Sequence, residues 1–305
     1  MRNEKILELI KKTVIYRWVR DKLYKVKPKD YNQPILSAAD TVDYIKELLE
    51  SSNPCMISRL GSTELKVLKT NFSKRMYNAN LKHIIKDYSG VFPVDDNSLN
   101  EFSELYFDEI GEIDLLGIWF NPFENVIANR FCPNAKLTKL RNLEPYFSAR
   151  PWSYYLKGKK VLVIHPFARS IEHQYLKREQ LFNDNRVLPD FELVTYAAVQ
   201  SLGGESNFKS WFDALNYMQK EISLIDFDIA IIGAGAYGLP LAAHVKKMGK
   251  KAIHLGGSTQ MLFGIYGRRW ELNPDFKNII NAQWIRPSED EKPSSAQKVE
   301  NSCYW

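Results

Sequence analysis

The chain has 305 residues, of which 45% are hydrophobic and 26% charged, with a net charge of +6. These proportions fit a globular protein with a sizeable core and exclude a fibrous or disordered chain. No run approaches the ~20 apolar residues that a spanning helix needs, and the charged start (Arg2, Glu4, Lys5) is no secretion signal.

The charge is concentrated at one end. Residues 1–30 carry ten basic and four acidic side chains, the whole net +6, so the remainder is neutral. A nucleic-acid enzyme would be basic across its binding face, so nucleic acid is not an expected partner. Residues 3–24 read as an amphipathic helix, with Ile6, Leu7, Ile10, Val14, Trp18 and Val19 at helical spacing. Two roles stand open for it: docking on the domain with a solvated basic face, or peripheral contact with anionic membrane. Cys55, Cys132 and Cys303 have neither zinc-ligand nor redox spacing. The expected setting is therefore the reducing cytoplasm, with the inner face of the plasma membrane as a second possibility.

From residue 31 onward strands and helices alternate. The pattern predicts strands at 55–58, 115–120, 160–165, 192–196, 228–232 and 251–255, and helices at 38–51, 97–111, 206–224 and 239–249. Several strands are short apolar runs without alternation, as expected when both faces are covered. The fold class is α/β: a doubly wound, mostly parallel Rossmann-like sheet over residues 31–286, preceded by the basic amphipathic segment 1–30. Residues 287–305 form a polar, turn-rich tail, a loose strap by composition, ending in Cys303-Tyr-Trp305. The two aromatics there suit packing back on the domain.

Open parallel sheets bind ligands at the carboxyl ends of their strands, so residues just after predicted strands are the candidates. The first set is Arg59-Leu-Gly61-Ser62-Thr63-Glu64. Arg59 has the fork for a phosphate; Glu64 suits a divalent cation or a base, or else a helix's first turn behind Ser62 or Thr63. The second is His165-Pro-Phe-Ala-Arg169-Ser170, an acid/base or phosphate-binding turn. The third is Gly233-Ala-Gly235-Ala-Tyr237-Gly238, a strand–glycine loop–helix unit in which backbone N–H groups face phosphate, or in which glycines only pack helix on strand. A dinucleotide is disfavoured: after the next strand, where an acidic residue should meet ribose, stands His254-Leu-Gly256-Gly257-Ser258-Thr-Gln260. Walker, nucleophile-elbow and His-Glu-x-x-His patterns are missing.

Together these segments are familiar. Arg59-Leu-Gly-Ser-Thr-Glu64 resembles the Arg-x-Gly-Asp-x-Glu stretch of bacterial glycosyltransferases of the D-type fold. Gly233-Ala-Gly-Ala-Tyr-Gly-Leu-Pro with Lys250-Lys-Ala-Ile-His-Leu-Gly-Gly257 resembles that fold's C-terminal unit. The resemblance spans about residues 40–285. It implies a Rossmann-like enzyme that transfers a sugar from a nucleotide diphosphate sugar to a glycan, glycolipid or glycoprotein acceptor, as in polysaccharide biosynthesis. It further implies Mn2+ or Mg2+ held by an Asp-x-Glu pair, of which this chain keeps Glu64 and has Ser62 in place of the Asp. Nucleotide contacts are then expected from Arg59, Gly61, Ser62, Arg169, Gly233, Gly235, Tyr237, Gly238, Gly256, Gly257 and Gln260, with Glu64 or His165 as the base. Two other classes remain open: a nucleotide-binding module without catalysis, and a nucleotide-dependent oxidoreductase or methyltransferase.

Overall fold

The computed structural model describes residues 26–204, 206–271, 273–298 and 302–305. The helix expected over residues 3–24 lies outside them.

Eight strands among the described residues form one sheet: β1 (Ile35–Leu36), β2 (Cys55–Arg59), β3 (Leu115–Ile118), β4 (Lys136–Lys139), β5 (Lys160–His165), β6 (Glu192–Ala197), β7 (Ile229–Ile232) and β8 (Lys251–His254). Their order is β1-β4-β3-β2-β8-β7-β5-β6, and every pairing is parallel. The sheet is doubly wound, as the alternation of elements predicts.

The strands do what their sequences dictate. In β2, Met56 packs on one face and Ile57 on the other; in β7, Ala230 and Ile231 divide the same way. Period-2 alternation thus feeds two cores, and an unbroken apolar run is what a two-faced strand requires. One face is covered by α1 (Ala38–Glu50), α6 (Ala168–Tyr175) and α10 (Ser258–Leu262), through Ile45, Ile171 and Met261. The opposite face carries α3 (Ala79–Ser89), α4 (Asp96–Ile110), α8 (Trp211–Ser223) and α9 (Gly238–Lys247), through Leu81, Phe102, Trp211 and Leu241. Each such side chain contributes roughly 1.5–3 kcal/mol on leaving water. Helix starts are set locally: Ser37, Asn78, Asp95 and Ser210 each accept a hydrogen bond from a first-turn backbone N–H.

Four further helices bear on the site or close the chain: α2 (Ser62–Phe72), α5 (Glu124–Phe131), α7 (Arg178–Leu181) and α11 (Arg268–Glu271). The described part of the tail is seated on the domain. The Glu291 carboxylate accepts from the backbone N–H groups of Arg169 and Ser170, Ser295 Oγ donates to the Leu202 carbonyl, and Ala296, Cys303 and Trp305 are buried. The expected loose strap is instead held by a carboxylate at the start of α6 and by apolar burial. No described helix is long and apolar enough to cross a membrane.

Candidate active site

β2 and β8 lie side by side at the centre of the sheet: the chain runs outward from β2 through β3 to β4, and on the other side returns inward through β7 to β8. In an open parallel sheet ligands bind in the crevice outside the carboxyl ends of the strands. A cleft of about 390 Å³ lies there. Arg59 enters it from the end of β2, Trp119 from the end of β3, Gly235 from the end of β7, and His254, Gly256 and Gly257 from the end of β8.

Arg59 is the central cation. Its guanidinium stacks on the Trp119 ring, 4.5 Å from the centroid, and forms no ion pair or side-chain hydrogen bond among the described residues. Burial pushes its pKa below the ordinary value, opposed by Tyr304, Glu64, Glu144 and Glu124 nearby. An arginine stays protonated regardless, so the cleft holds a half-buried positive charge that makes no ion pair with a described residue. Gly256, at φ +61°, lets the backbone pass close to it: a Cβ there would stand 3.3 Å from the guanidinium.

Trp119 is itself fixed. Its Nε1 donates to the Leu60 carbonyl at 3.1 Å. Glu124, fully buried at the start of α5, accepts through Oε2 from Trp119 N (3.0 Å), Asn121 N (3.2 Å) and the Tyr31 hydroxyl (3.0 Å). These bonds bind a loop that turns through left-handed backbone at Phe120 (φ 62°) and Phe123 (φ 79°), a conformation side chains adopt only when their surroundings impose it. Burial holds the Glu124 carboxyl up at about 7, against its hydrogen bonds.

Two carboxylates line the cleft, Glu64 and Glu144. Glu144 accepts from Ser258 Oγ at 2.8 Å and from Arg141 at 3.2 Å, and burial raises its pKa. Glu64 lies in the first turn of α2 and is 8% exposed, without a hydrogen bond or ion pair to any described residue. Its carboxylate folds back over Gly61, where a Cβ would meet Oε2 at 1.7 Å. Gly61 is therefore the residue that lets Glu64 face inward. Ser62 and Thr63 line the same wall.

The histidines divide. His254 lines the main cleft and its Nδ1 bonds to Ser58 Oγ at 3.0 Å; burial, then Arg59, hold it down at about 3. His165 lines a smaller adjoining cavity of about 70 Å³ instead. Its Nδ1 accepts from Phe167 N at 2.9 Å, and burial again holds it at about 3. With that lone pair engaged and the ring neutral, His165 offers a donor but no base. Gln260 lines the small cavity with its amide already donating to the carbonyls of Ile265 and Tyr304.

Three expected contacts fall elsewhere. Arg169 is exposed and ion-paired with Asp290 of the tail, lining neither cavity. Tyr237 is buried, stacked on Trp211 with ring centroids 5.0 Å apart and hydrogen-bonded to Ser201 Oγ. Gly238 is a packing glycine, since a Cβ would stand 2.4 Å from His254 Nε2. Gly233 borders the small cavity, yet its close neighbours are likewise protein: the Gly256 carbonyl, the His165 ring and Thr259. Of this loop's glycines, Gly235, at φ +54° with only the Ser89 carbonyl near a Cβ position (3.5 Å), has the character of a ligand-facing glycine.

No family model matches the chain. A lysine-specific histone demethylase 1B homolog of Caenorhabditis elegans is 30% identical over 151 residues, which is 46% of this chain and 17% of that protein. The chain thus spans less than a fifth of that relative's length. Among solved structures, a chain described as domain of unknown function 1792 is 14% identical, with a TM-score of 0.43 over 79% of this chain and 82% of its own. A second, described as having a distinct glycosyltransferase fold, is 14% identical with a TM-score of 0.42 over 77% and 80%. A third, from Streptococcus sanguinis and described as a new glycosyltransferase, is 11% identical with a TM-score of 0.41 over 85% and 96%.

The implied cation meets a sparse donor set here. No three His, Cys, Asp or Glu side chains gather into a metal-holding group among the described residues, and Glu64 is the one cleft carboxylate not already hydrogen-bonded. Hard divalent cations are usually held by several oxygen ligands, and this wall supplies one carboxylate beside an arginine. The residues do not fit a cation cage.

Proposed function

We propose that this chain is a glycosyltransferase that uses a nucleoside diphosphate sugar and hands the sugar to a hydroxyl of a glycan, glycolipid or glycoprotein. The observation that carries the reading is the meeting, in one cleft at the carboxyl ends of the central strands, of an arginine and a carboxylate that make no ion pair or hydrogen bond with described residues. Arg59 supplies a charge complementary to a diphosphate, and Gly235 and Gly256 let backbone approach it. As the bond from the sugar's anomeric carbon to phosphate breaks, negative charge grows on the leaving nucleoside diphosphate, and a half-buried guanidinium already in place stabilises it. Glu64 takes the proton of the attacking acceptor hydroxyl.

The test is incubation with a panel of nucleoside diphosphate sugars, with and without glycan acceptors. Release of free nucleoside diphosphate supports transfer. Binding without turnover would leave a non-catalytic module, and turnover of a nicotinamide or S-adenosylmethionine substrate would replace the reading. Contact with anionic membrane through residues 1–30 rests on their charge and periodicity. It predicts that flotation of the protein with anionic vesicles falls as salt rises, since surface lysines contribute about 1 kcal/mol each and are screened within a Debye length; flotation indifferent to salt, or none, removes it.

A further inference from the structure

The tail residues Ser302–Trp305 are built into the cleft wall. The Cys303 carbonyl accepts from Arg269 N at 3.0 Å, the Tyr304 carbonyl from Gln260 Nε2 at 3.3 Å, and the Trp305 carbonyl from Arg268 N at 3.3 Å and Arg286 at 2.8 Å. The backbone crosses Gly267 so closely that a Cβ there would stand 2.4 Å from the Tyr304 carbonyl carbon. Trp305 packs edge-on against Phe167. Four separate backbone bonds and a reserved glycine fix one side chain between them, that of Tyr304.

Tyr304 borders both the main cleft and the small adjoining cavity. Its ring lies over Gly257, with Cε1 3.1 Å from where a Cβ would be, so a glycine is needed beneath it. Arg269 holds its hydroxyl at 3.2 Å, and Trp270 flanks the ring at 5.9 Å. Tyr304 and Arg59 line the same cleft. An aromatic ring is therefore held, edge and hydroxyl fixed, next to the proposed diphosphate position and at the mouth of a mostly apolar side cavity.

Arg269 lies over one face of the ring, 5.0 Å from its centroid; we propose that Tyr304 is the specificity-determining wall of the donor site, giving its other face to the ring that flanks the diphosphate. This rests on the reading of the cleft as a nucleoside diphosphate sugar site. Two rings flank a donor diphosphate, the nucleobase and the sugar, and both offer a face that stacks on an aromatic. The phosphates themselves belong to Arg59 and the glycine loops, so Tyr304 discriminates what is attached to them.

The experiment is calorimetric titration of full-length wild type, Tyr304→Ala and Tyr304→Phe with three probes. These are inorganic pyrophosphate, a set of nucleoside diphosphates (uridine, guanosine, adenosine, cytidine, thymidine), and the glucose conjugate of the tightest binder. Expected is unchanged pyrophosphate affinity in all three proteins, and a loss of about tenfold or more for nucleoside diphosphate in Tyr304→Ala that Tyr304→Phe restores. A loss confined to the sugar conjugate assigns the stacked ring to the sugar. If Tyr304→Ala binds every probe as wild type does, or loses pyrophosphate in the same proportion, Tyr304 is a structural prop and the proposal is overturned. If wild type binds pyrophosphate but no nucleotide or conjugate, the donor reading itself falls, and this inference with it.

Discussion

At the end of β2, Arg59 and Glu64 reach the cleft without an ion pair or hydrogen bond to any described residue. At the ends of β7 and β8, groups that look equally functional in sequence are already occupied: Gly233 and Gly238 make room for the His165 and His254 rings, and His254 bonds to Ser58. Both regions carry glycines and polar residues just after a buried parallel strand. What separates them is whether each polar group has found a partner inside the protein. A buried charge left unpaired costs stability, so its persistence points to a ligand, whereas a satisfied group explains itself.

The sharpest way to break this contrast is Glu64→Gln. Turnover should fall by a factor on the order of a hundred or more, with little change in melting temperature because no intramolecular bond is lost. Normal turnover would reduce Glu64 to a first-turn helix residue. Next comes a pair of glycine substitutions. Gly238→Ala places a Cβ 2.4 Å from His254 Nε2 and should cost roughly 1–3 kcal/mol of stability by overpacking. Gly235→Ala meets only an ordinary contact, the Ser89 carbonyl at 3.5 Å, but has a left-handed backbone, so it should cost only about 1 kcal/mol while weakening diphosphate binding. Thermal unfolding and calorimetry on both variants would expose a reversed order.

The smallest effect concerns the committed carboxylate. Burial raises Glu124 from an ordinary 4.5 to about 7, so between those values the folded state binds more protons than the unfolded one. Its contribution therefore declines as pH rises from about 4.5 towards about 7. Glu124→Gln should flatten that part of the stability curve and leave turnover at pH 8 nearly unchanged, because the amide oxygen still accepts from Trp119 and Asn121. An unaltered slope would mean the group titrates normally.

Six strands were readable as apolar runs, and their parallel order followed from the helices between them. Strand β4 was not, because Lys136–Lys139 has lysines at both ends and only Leu137 and Thr138 buried; β1 is two residues long. Arg59, Glu64, Gly235 and Gly256 were legible because the strand-end rule locates them. Trp119, Glu144 and Arg269 were not: Trp119 and Glu144 come from loops whose course depends on tertiary contacts, such as the left-handed turns at Phe120 and Phe123, and Arg269 from the short helix α11. The tail's two aromatics stood out in sequence, but nothing there pointed Tyr304 at the cleft. Arg169 and Tyr237 look like site residues for the converse reason, since position after a strand does not tell whether Asp290 or Ser201 has claimed the side chain first.

The adjacency of β2 and β8 sets how the cleft comes into being. Ser58 and His254, bonded across this seam, are 196 residues apart in the chain, and non-local parallel pairings of this kind form slowly. No short fragment contains both rims, so binding competence arrives only when the two halves of the sheet have met. A ligand bridging the seam then couples to the whole folding equilibrium. In hydrogen exchange it should slow the amides of the central strands together, β2 and β8 included, where a loop-bound ligand would quiet only its own surroundings.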